Sequence, residues 1–238
     1  HRIGRSGGES QYARTEGLLG KAAVEKLHRA KVALFGVGGV GGYVAETLAR
    51  SGVGAIDLFD GDTVQLTNLN RQIVALHSTL GAYKAEATAR RIKDIDPAID
   101  VKARVLFYLP ENADAVDLSA YDYVVDAVDT VAAKTELISR CVGKKIPIVS
   151  AMGAGNKTDP FSFRTGDISE TTVCPLARAV RRELRRRGIE KGVKCVYSVQ
   201  QPVSTDTQRT PKSVAYMPAA MGLIIAAEVI ADLTEEPL

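Results

Sequence analysis

Tryptophan is absent from this sequence of 238 residues, and aromatic side chains together make up only 5% of it. A buried core must therefore be built from aliphatic side chains, which suits a parallel sheet of Val, Ile, Leu and Ala. Cysteine is also scarce: Cys141, Cys174 and Cys195 are too few and too far apart for a disulfide framework or a four-cysteine zinc site. This sparing use of cysteine favours a reducing cytoplasm.

Long hydrophobic runs and a strong charge imbalance are missing too. The apolar stretch at 219–227 falls well short of the roughly 20 residues that span a bilayer, and Glu228 and Asp232 interrupt its continuation. We therefore predict a helix over 218–232 that packs on a sheet or against a second copy of the chain, and no membrane partner. The net charge of +3 is too small to require a polyanionic partner, so only its distribution is informative.

Apolar and amphipathic segments alternate along the first part of the chain. Strands are predicted over residues 31–35, 55–59, 101–107, 123–126 and 146–151, and helices over residues 18–29, 43–51, 82–95 and 132–142. This alternation predicts an α/β fold with a Rossmann-like, doubly wound and mostly parallel sheet. The pattern then loosens into a loop at 153–159, a basic helix at 175–187 and a polar linker at 204–212, which predicts a C-terminal α+β extension.

The length of the chain favours one domain over two. We predict a single domain over 12–238, with a nucleotide-binding half at 12–152 and a substrate and dimer half at 153–238. Residues 1–11 are polar and rich in Gly and Ser, and we predict a disordered or trimmed terminus there.

A glycine-rich turn follows the first predicted strand. In Gly36-Val-Gly-Gly-Val-Gly, Gly38 and Gly39 let the backbone approach a ligand closely, and Gly41 lets the next helix pack on the strand. Free amides and the helix dipole at such a turn attract phosphate. Asp60, at the end of the second strand, is placed to hold ribose hydroxyls. These features predict a nucleotide site without distinguishing NAD from ATP.

Two cations flank the loop that follows the ribose-binding acid. Arg71 can pair with phosphate through its planar fork, and Lys84 adds a point charge. A single Arg or Lys is most often a solvated surface residue. Two such residues beside one nucleotide loop favour a triphosphate over a nicotinamide nucleotide.

The motifs of this first half resemble those of the ubiquitin-activating and sulfur-carrier-activating superfamily of ThiF-like adenylating enzymes. The resemblance rests on the glycine turn, on Asp-Gly-Asp-Thr-Val at 60–64, on Asn-Leu-Asn-Arg-Gln at 68–72 and on Gly-x-x-Lys at 81–84. It implies that Asp60 binds the ribose of ATP and that Arg71 and Lys84 bind the triphosphate. It also implies that Asn68 or Asn70 lines the same loop.

The same resemblance extends to Asp-Ala-Val-Asp-Thr at 126–130 and to Tyr-Ala-Arg-Thr at 12–15. It implies that Asp129 holds Mg²⁺ on the phosphates, with Asp126 as the alternative ligand. Asp126 could instead be a capping residue after a strand. In this superfamily an N-terminal arginine reaches the ATP of the partner in a dimer, which implies this role for Arg14 in a homodimer. The alternative for Arg14 is a place on a frayed terminus.

The second half resembles one branch of that superfamily, the tRNA threonylcarbamoyladenosine dehydratases. The matching segments are 152–160, 167–169, 174–188 and 218–228. The two Cys-x-x-Cys pairs common in enzymes that adenylate carrier proteins are absent. The branch implies ATP-dependent adenylation of the threonyl carboxylate on a modified adenosine beside the tRNA anticodon, followed by ring closure that expels AMP. It also implies the tRNA anticodon arm as a partner, a monovalent cation (Na⁺ or K⁺) near the nucleotide, and a cysteine-desulfurase-linked sulfur acceptor protein.

A basic segment supports a nucleic-acid partner. Charge runs are usually solvated faces, but only Glu183 and Glu190 interrupt this one. Such a stripe can neutralise several phosphates. The candidate tRNA-binding residues are Arg178, Arg181, Arg182, Arg185 and Arg186, and Arg187, Lys191 and Lys194 follow them.

Other functions remain open at this point. The nearest rival is an adenylating enzyme for a small sulfur-carrier protein with Cys174 as thiol acceptor, because a cysteine ahead of Pro175 at the start of a basic helix favours a lowered pKa. A structural role for this cysteine is the simpler interpretation. A non-enzymatic, ATP-dependent tRNA-binding scaffold is a further alternative. A nicotinamide dehydrogenase is disfavoured because no substrate domain follows the Rossmann half.

Overall fold

The computed structural model describes residues 10–203 and 211–237, so most of the predicted N-terminal disorder and of the predicted polar linker lies outside the described residues. One sheet organises the chain. Its strands are β1 (Lys31–Phe35), β2 (Ala55–Phe59), β3 (Asp100–Arg104), β4 (Tyr123–Asp126), β5 (Ile148–Ala151), β6 (Phe163–Asp167) and β7 (Lys194–Ser198). The spatial order is β3-β2-β1-β4-β5-β7-β6, and every neighbouring pair is parallel except β6 with β7. The predicted fold class is confirmed.

Apolar side chains cover both faces of the central strands, as expected for a parallel sheet between helices. In β1, Val32 and Leu34 belong to one buried cluster, while Ala33 and Phe35 belong to the other. The first cluster includes side chains of α2 (Lys21–Arg29), α3 (Gly41–Arg50), α4 (Lys84–Ile95) and α7 (Tyr216–Thr234). The second includes side chains of α5 (Val131–Lys144) and α6 (Pro175–Arg186).

The last helix, α7, is long and apolar enough to cross a membrane by length and composition, but 44% of its most apolar window is buried in the protein. It packs on β5, β7, α2 and α3. Met221, Ile225 and Val229 are fully buried along it. The expected packing of this helix on the sheet is confirmed.

Several predicted bounds need correction. The predicted helix at 18–29 falls in two helices, α1 (Ala13–Leu19) and α2. Gly20 separates them because its φ of +88° is incompatible with a continuous α-helix. The predicted strand at 101–107 leaves the sheet after Arg104, and its remaining residues run along a cleft. β6 and β7 were not predicted. Since β7 pairs with β5, the segments before and after residue 152 share one sheet.

Candidate active site

A cleft of about 700 Å³ opens at the carboxyl ends of the parallel strands. The strand order reverses direction between β1 and β4, and ligands of doubly wound sheets bind at such a switch point. Most of the predicted nucleotide-binding residues meet there. Those that line the cleft are Gly36, Gly38, Gly39, Asp60, Arg71, Lys84 and Asp129.

The glycine turn is shaped by two close backbone approaches. A Cβ on Gly36, where φ is +86°, would lie 2.5 Å from the Ala127 carbonyl oxygen, and one on Gly41 would lie 1.8 Å from the Gly36 carbonyl oxygen. Neither position can hold a larger residue. In the described part of the chain, the amides of Gly38 and Gly39 donate to no protein atom. They are free to donate to a bound anion at the start of α3.

Asp60 ties the second strand to this turn. Its Oδ2 accepts a hydrogen bond from the Val37 amide at 2.8 Å, and its Oδ1 accepts one from the Asp62 amide at 2.8 Å. Burial raises the pKa of the Asp60 carboxyl, although these hydrogen bonds and Lys84 oppose the effect. The carboxylate lines the cleft beside the turn, where it is placed to accept hydrogen bonds from ribose hydroxyls.

Arg71 and Lys84 are held at the wall of the cleft by neighbouring oxygens. The Arg71 guanidinium donates to the Thr67 carbonyl and to the Asn70 Oδ1, each at 2.9 Å. The Lys84 Nζ lies 3.3 Å from the Asp62 Oδ2, and its side chain is buried. Both cations therefore point toward one side of the cleft before any ligand binds.

Two residues of the Asn-Leu-Asn-Arg-Gln motif have places that the sequence did not predict. Asn68 is buried below the loop, its Oδ1 accepts from the Gln65 amide at 2.9 Å, and it is not among the cleft-lining residues. Asn70 orients Arg71 and donates to the Ser213 carbonyl at 3.1 Å. Direct nucleotide contact by either asparagine stays a prediction that these positions do not favour. The hydrogen bonds of the two asparagine side chains hold the loop in its shape.

Gln72, the last residue of that motif, is a site residue that we did not predict. Its side chain is buried and lines the cleft, and its Oε1 has no hydrogen-bond partner among the described residues. Its Nε2 lies 3.6 Å from the position of a Cβ on Gly38, so the amide faces the glycine turn. A buried polar atom without a partner is costly, and a ligand at the turn could supply one. The sequence signal that could have identified Gln72 as a site residue is its position directly after Arg71.

Asp129 and Asp126 have different environments. Asp129 is exposed and lines the cleft, two residues after Ala127, whose carbonyl abuts the glycine turn. Asp126 is fully buried, and its Oδ2 accepts from the Lys134 Nζ at 3.0 Å and from the Ser150 Oγ at 2.5 Å. Its Oδ1 accepts from the Val128 amide at 3.2 Å. Asp126 therefore supports the loop that carries Asp129 and is not among the cleft-lining residues. Its alternative role as a Mg²⁺ ligand stays a prediction that this burial does not favour.

An apolar wall, not predicted, closes one side of the cleft. It consists of residues 106–109 after β3, and the ring of Phe107 lies directly over Gly61. Tyr108 packs edge-on against Phe35, with ring centroids 5.0 Å apart, and burial raises the pKa of its hydroxyl to about 12. Phe107 and Leu109 remain exposed. Such a wall beside Asp60 suits a flat heterocyclic base.

The opposite wall is formed by residues 151–157 and by the start of α6. Cys174 is fully buried, and its Sγ accepts a hydrogen bond from the Gly153 amide at 3.3 Å. Lys157 is also buried, and its Nζ donates to the Gly153 carbonyl at 2.9 Å. Cys174 is thus packed into the wall, and the lysine is a cleft residue that sequence reasoning missed.

Arg14 is exposed on α1 and does not line the cleft of its own chain. The neighbouring Tyr12 hydroxyl contacts the Asp96 Oδ2 and the Ala49 carbonyl, which places this segment where the strands begin rather than where they end. Arg14 could reach a nucleotide only in another copy of the chain.

The basic helix α6 begins at the cleft and leads away from it. Arg178, Arg182 and Arg185 are exposed and make no ion pair within the described residues. Arg181 instead donates to the Thr171 carbonyl at 2.6 Å. Three further members of the basic segment are paired with acids: Arg186 with Glu183, Arg187 with Glu136, and Lys194 with Glu228 and Asp232. The basic surface is smaller than the sequence indicated.

The fold and the cleft are those of a doubly wound nucleotide-binding class, and the comparisons identify the family. The ThiF family matches residues 12–237, and the chain belongs to that family. A tRNA threonylcarbamoyladenosine dehydratase of Bacillus subtilis (strain 168) is 42% identical over 242 residues, which cover 95% of each protein. The E. coli tRNA N6-threonylcarbamoyladenosine dehydratase, TcdA, is similar in its complex with AMP (34% identity, TM-score 0.89) and covers 95% of this chain and 94% of its own. The ATP complex of TcdA has the same identity and coverage and a TM-score of 0.87.

Proposed function

We propose that this protein is an ATP-dependent tRNA threonylcarbamoyladenosine dehydratase. It adenylates the threonyl carboxylate of threonylcarbamoyladenosine in tRNA, and a group of the same modification then closes a ring and expels AMP. The observation that supports this most strongly is the similarity to ATP-bound TcdA over 95% of the chain, including the segment from β6 to α7. That segment is where the sequence departs from the carrier-adenylating enzymes.

The reaction is built around the α-phosphorus of ATP. A carboxylate oxygen forms a bond to phosphorus, and pyrophosphate leaves with the electron pair of the broken bond. Ring closure then breaks the acyl–oxygen bond, so the carboxylate oxygen departs on AMP and the product has lost one water. Arg71 and Lys84 offset the charge on the triphosphate, and the free amides of the glycine turn donate to phosphate oxygens. The protein supplies position and charge rather than a nucleophile.

The residues present fit Mg²⁺. Within the described residues no group of three or more His, Cys, Asp or Glu side chains could hold a metal alone. Mg²⁺ in nucleotide sites needs only one or two carboxylates, with phosphates and waters completing its shell. The exposed carboxylate of Asp129 meets that need. When bound, Mg²⁺ neutralises charge at the phosphates. A Na⁺ or K⁺ ion near the nucleotide is part of the proposal only through the family resemblance.

The proposed partners use two surfaces outside the cleft of their own subunit. The exposed arginines of α6 lie next to the cleft and suit the backbone of the tRNA anticodon arm. Arg14 completes the site of the other subunit in a homodimer. The cytoplasmic location and the cysteine-desulfurase-linked sulfur acceptor rest on sequence reasoning alone.

The proposed function is tested by incubating the protein with ATP, Mg²⁺ and tRNA and analysing the nucleosides by mass spectrometry. Wild type should convert threonylcarbamoyladenosine to a species that has lost one water and release AMP and pyrophosphate. Asp129→Ala should abolish this turnover while the fold survives, because its carboxylate holds Mg²⁺ on the phosphates. Asp94→Ala, which removes an exposed carboxylate of α4, is the matched control.

Two outcomes would contradict the proposal in different ways. Wild type that consumes ATP only with a small ubiquitin-like carrier protein, and never dehydrates tRNA, would favour the sulfur-carrier alternative. Wild type that binds ATP and tRNA without any turnover would favour the scaffold. Asp129→Ala with nearly wild-type turnover at saturating Mg²⁺ would remove the metal role from this residue.

A further inference from the structure

Three lysines of the described chain are buried, and Lys157 differs from the other two. The Lys134 Nζ lies 3.0 Å from the Asp126 carboxylate, and the Lys84 Nζ lies 3.3 Å from the Asp62 carboxylate. Lys157 is only 3% exposed, and no carboxylate of the described residues pairs with it. Its Nζ donates to the Gly153 carbonyl at 2.9 Å, and a Cβ on Gly153 would lie 3.9 Å from this Nζ and 3.3 Å from the Cys174 Sγ.

Within the described residues, the Lys157 ammonium group has neither a counter-charge nor a hydrogen-bond acceptor for each of its protons. Burying a charge without a counter-charge is costly, and burial lowers the pKa of Lys157 against the weaker opposing effect of Cys174. A single carbonyl satisfies one of the three N–H groups of a lysine. The remaining donors can be satisfied by an anion that enters the cleft, because Lys157 is part of the cleft wall.

The position of Lys157 in the cleft indicates which anion it would bind. The carboxyl ends of β2, β1, β4 and β5 follow one another across the sheet. Asp60, Arg71 and Lys84 are on the β2 side, and Asp129 follows β4. Lys157 follows β5, on the other side of Asp129 from the triphosphate-binding cations. The acids that line the cleft are Asp60, Asp62 and Asp129, and none of them belongs to the wall after β5.

We propose that the Lys157 ammonium binds the substrate carboxylate that is adenylated, at the end of the cleft opposite the triphosphate-binding cations. This inference rests on the proposed function and identifies how its second substrate is recognised. A carboxylate that approaches a triphosphate is repelled by it, and a cation on the far side offsets that repulsion. The start of α6, which forms the same wall, adds the positive end of a helix dipole. As the oxygen–phosphorus bond forms, the substrate carboxylate loses its negative charge. Lys157 keeps its protons and therefore releases the acyl group.

The test is a double-substitution cycle that needs no turnover. An anticodon stem-loop carrying threonylcarbamoyladenosine is compared with one whose threonyl carboxylate is replaced by a carboxamide, in the presence of α,β-methylene-ATP. Charge-assisted hydrogen bonds contribute enough free energy for wild type to prefer the carboxylate by roughly 10- to 100-fold. Lys157→Met should bind both stem-loops equally, whereas Lys102→Met, an exposed lysine of β3, should keep the preference.

Stability gives an independent readout. Removing an unpaired buried charge with a side chain of similar shape should leave the thermal midpoint unchanged or raise it. If Lys157 is merely structural and braces the 153–157 loop, Lys157→Met should lower the midpoint and weaken both stem-loops alike, which would overturn the proposal. A rise in KM for ATP with an unchanged carboxylate preference would assign the lysine to the nucleotide and also overturn it.

The two proposals can fail separately. Wild type that shows the carboxylate preference, lost in Lys157→Met, but never dehydrates tRNA would contradict the proposed reaction while supporting the carboxylate site. Wild type that dehydrates tRNA, with a Lys157→Met variant that keeps the preference, would contradict the carboxylate site alone.

Discussion

Lys134→Met removes one partner of the fully buried pair between Lys134 and Asp126. The Asp126 carboxylate would keep its hydrogen bonds from Ser150 and Val128 but lose its only counter-charge among the described residues. Breaking a buried ion pair in this way costs about 3–5 kcal/mol. In a chain of this size, that loss corresponds to a fall in Tm of about 6–20 °C.

Chemical denaturation of wild type, Lys134→Met and the double variant Asp126→Asn with Lys134→Met measures the effect. The double variant should recover most of the lost stability, because no uncompensated charge remains, the Asn Oδ1 can accept from the Val128 amide, and the Asn Nδ2 can donate to the Ser150 Oγ. A loss below about 1 kcal/mol in the single variant would refute the reasoning, since a buried carboxylate left without its partner must cost more than a surface pair. No recovery in the double variant would show that Lys134 acts through packing instead.

Arg71→Ala and Lys84→Ala should each raise KM for ATP by about tenfold or more, with little change in unfolding free energy, because each loses charge-assisted contacts to phosphate; unchanged ATP kinetics in both would move the triphosphate elsewhere. We expect a homodimer by sedimentation at micromolar concentration. At limiting ATP, mixing Arg14→Ala subunits with Arg71→Ala subunits should give more turnover than either variant alone, since one site of each mixed dimer has both arginines. A monomer, or no such gain on mixing, would refute donation between subunits. Cys174→Ser should keep ATP-dependent dehydration, because the thiol is buried and accepts only the Gly153 amide among the described residues; lost activity with intact fold and ATP binding would favour a thiol-using reaction.

The nucleotide side of the site could be predicted because its signals are local. A strand, a glycine turn and a helix follow one another directly in the chain, and Asp60 ends the next strand. Arg71 and Lys84 were recognisable because two cations flank one short loop. The motif Asp-Ala-Val-Asp-Thr was recognised, but its two acids have different environments because Asp126 faces Lys134 on α5. The sequence contains no sign that this lysine is buried.

The wall formed by residues 151–157 and the start of α6 was harder to predict, because it depends on contacts between distant segments. Lys157 lies in a loop with no periodicity, and its burial results from the packing of that loop against the start of α6. β6 resembles a loop because its middle residues, 164 and 165, are exposed at the sheet edge. Lys194 was counted with the basic segment, but pairing of β7 with β5 brings it to Glu228 and Asp232 of α7.

The packing of α7 on the glycine turn has a consequence for the order in which the protein becomes competent during synthesis. A Cβ on Gly222 would lie 2.5 Å from the Val40 carbonyl, and one on Gly39 would lie 3.0 Å from the Cβ of Pro218. The glycine turn lies early in the chain, directly after β1, and is translated early. The helix that packs against it, α7, is translated after all seven strands. A nascent chain without α7 would have a glycine turn without this support and uncovered apolar side chains on β5 and β7. Nucleotide binding should thus begin only once α7 has docked.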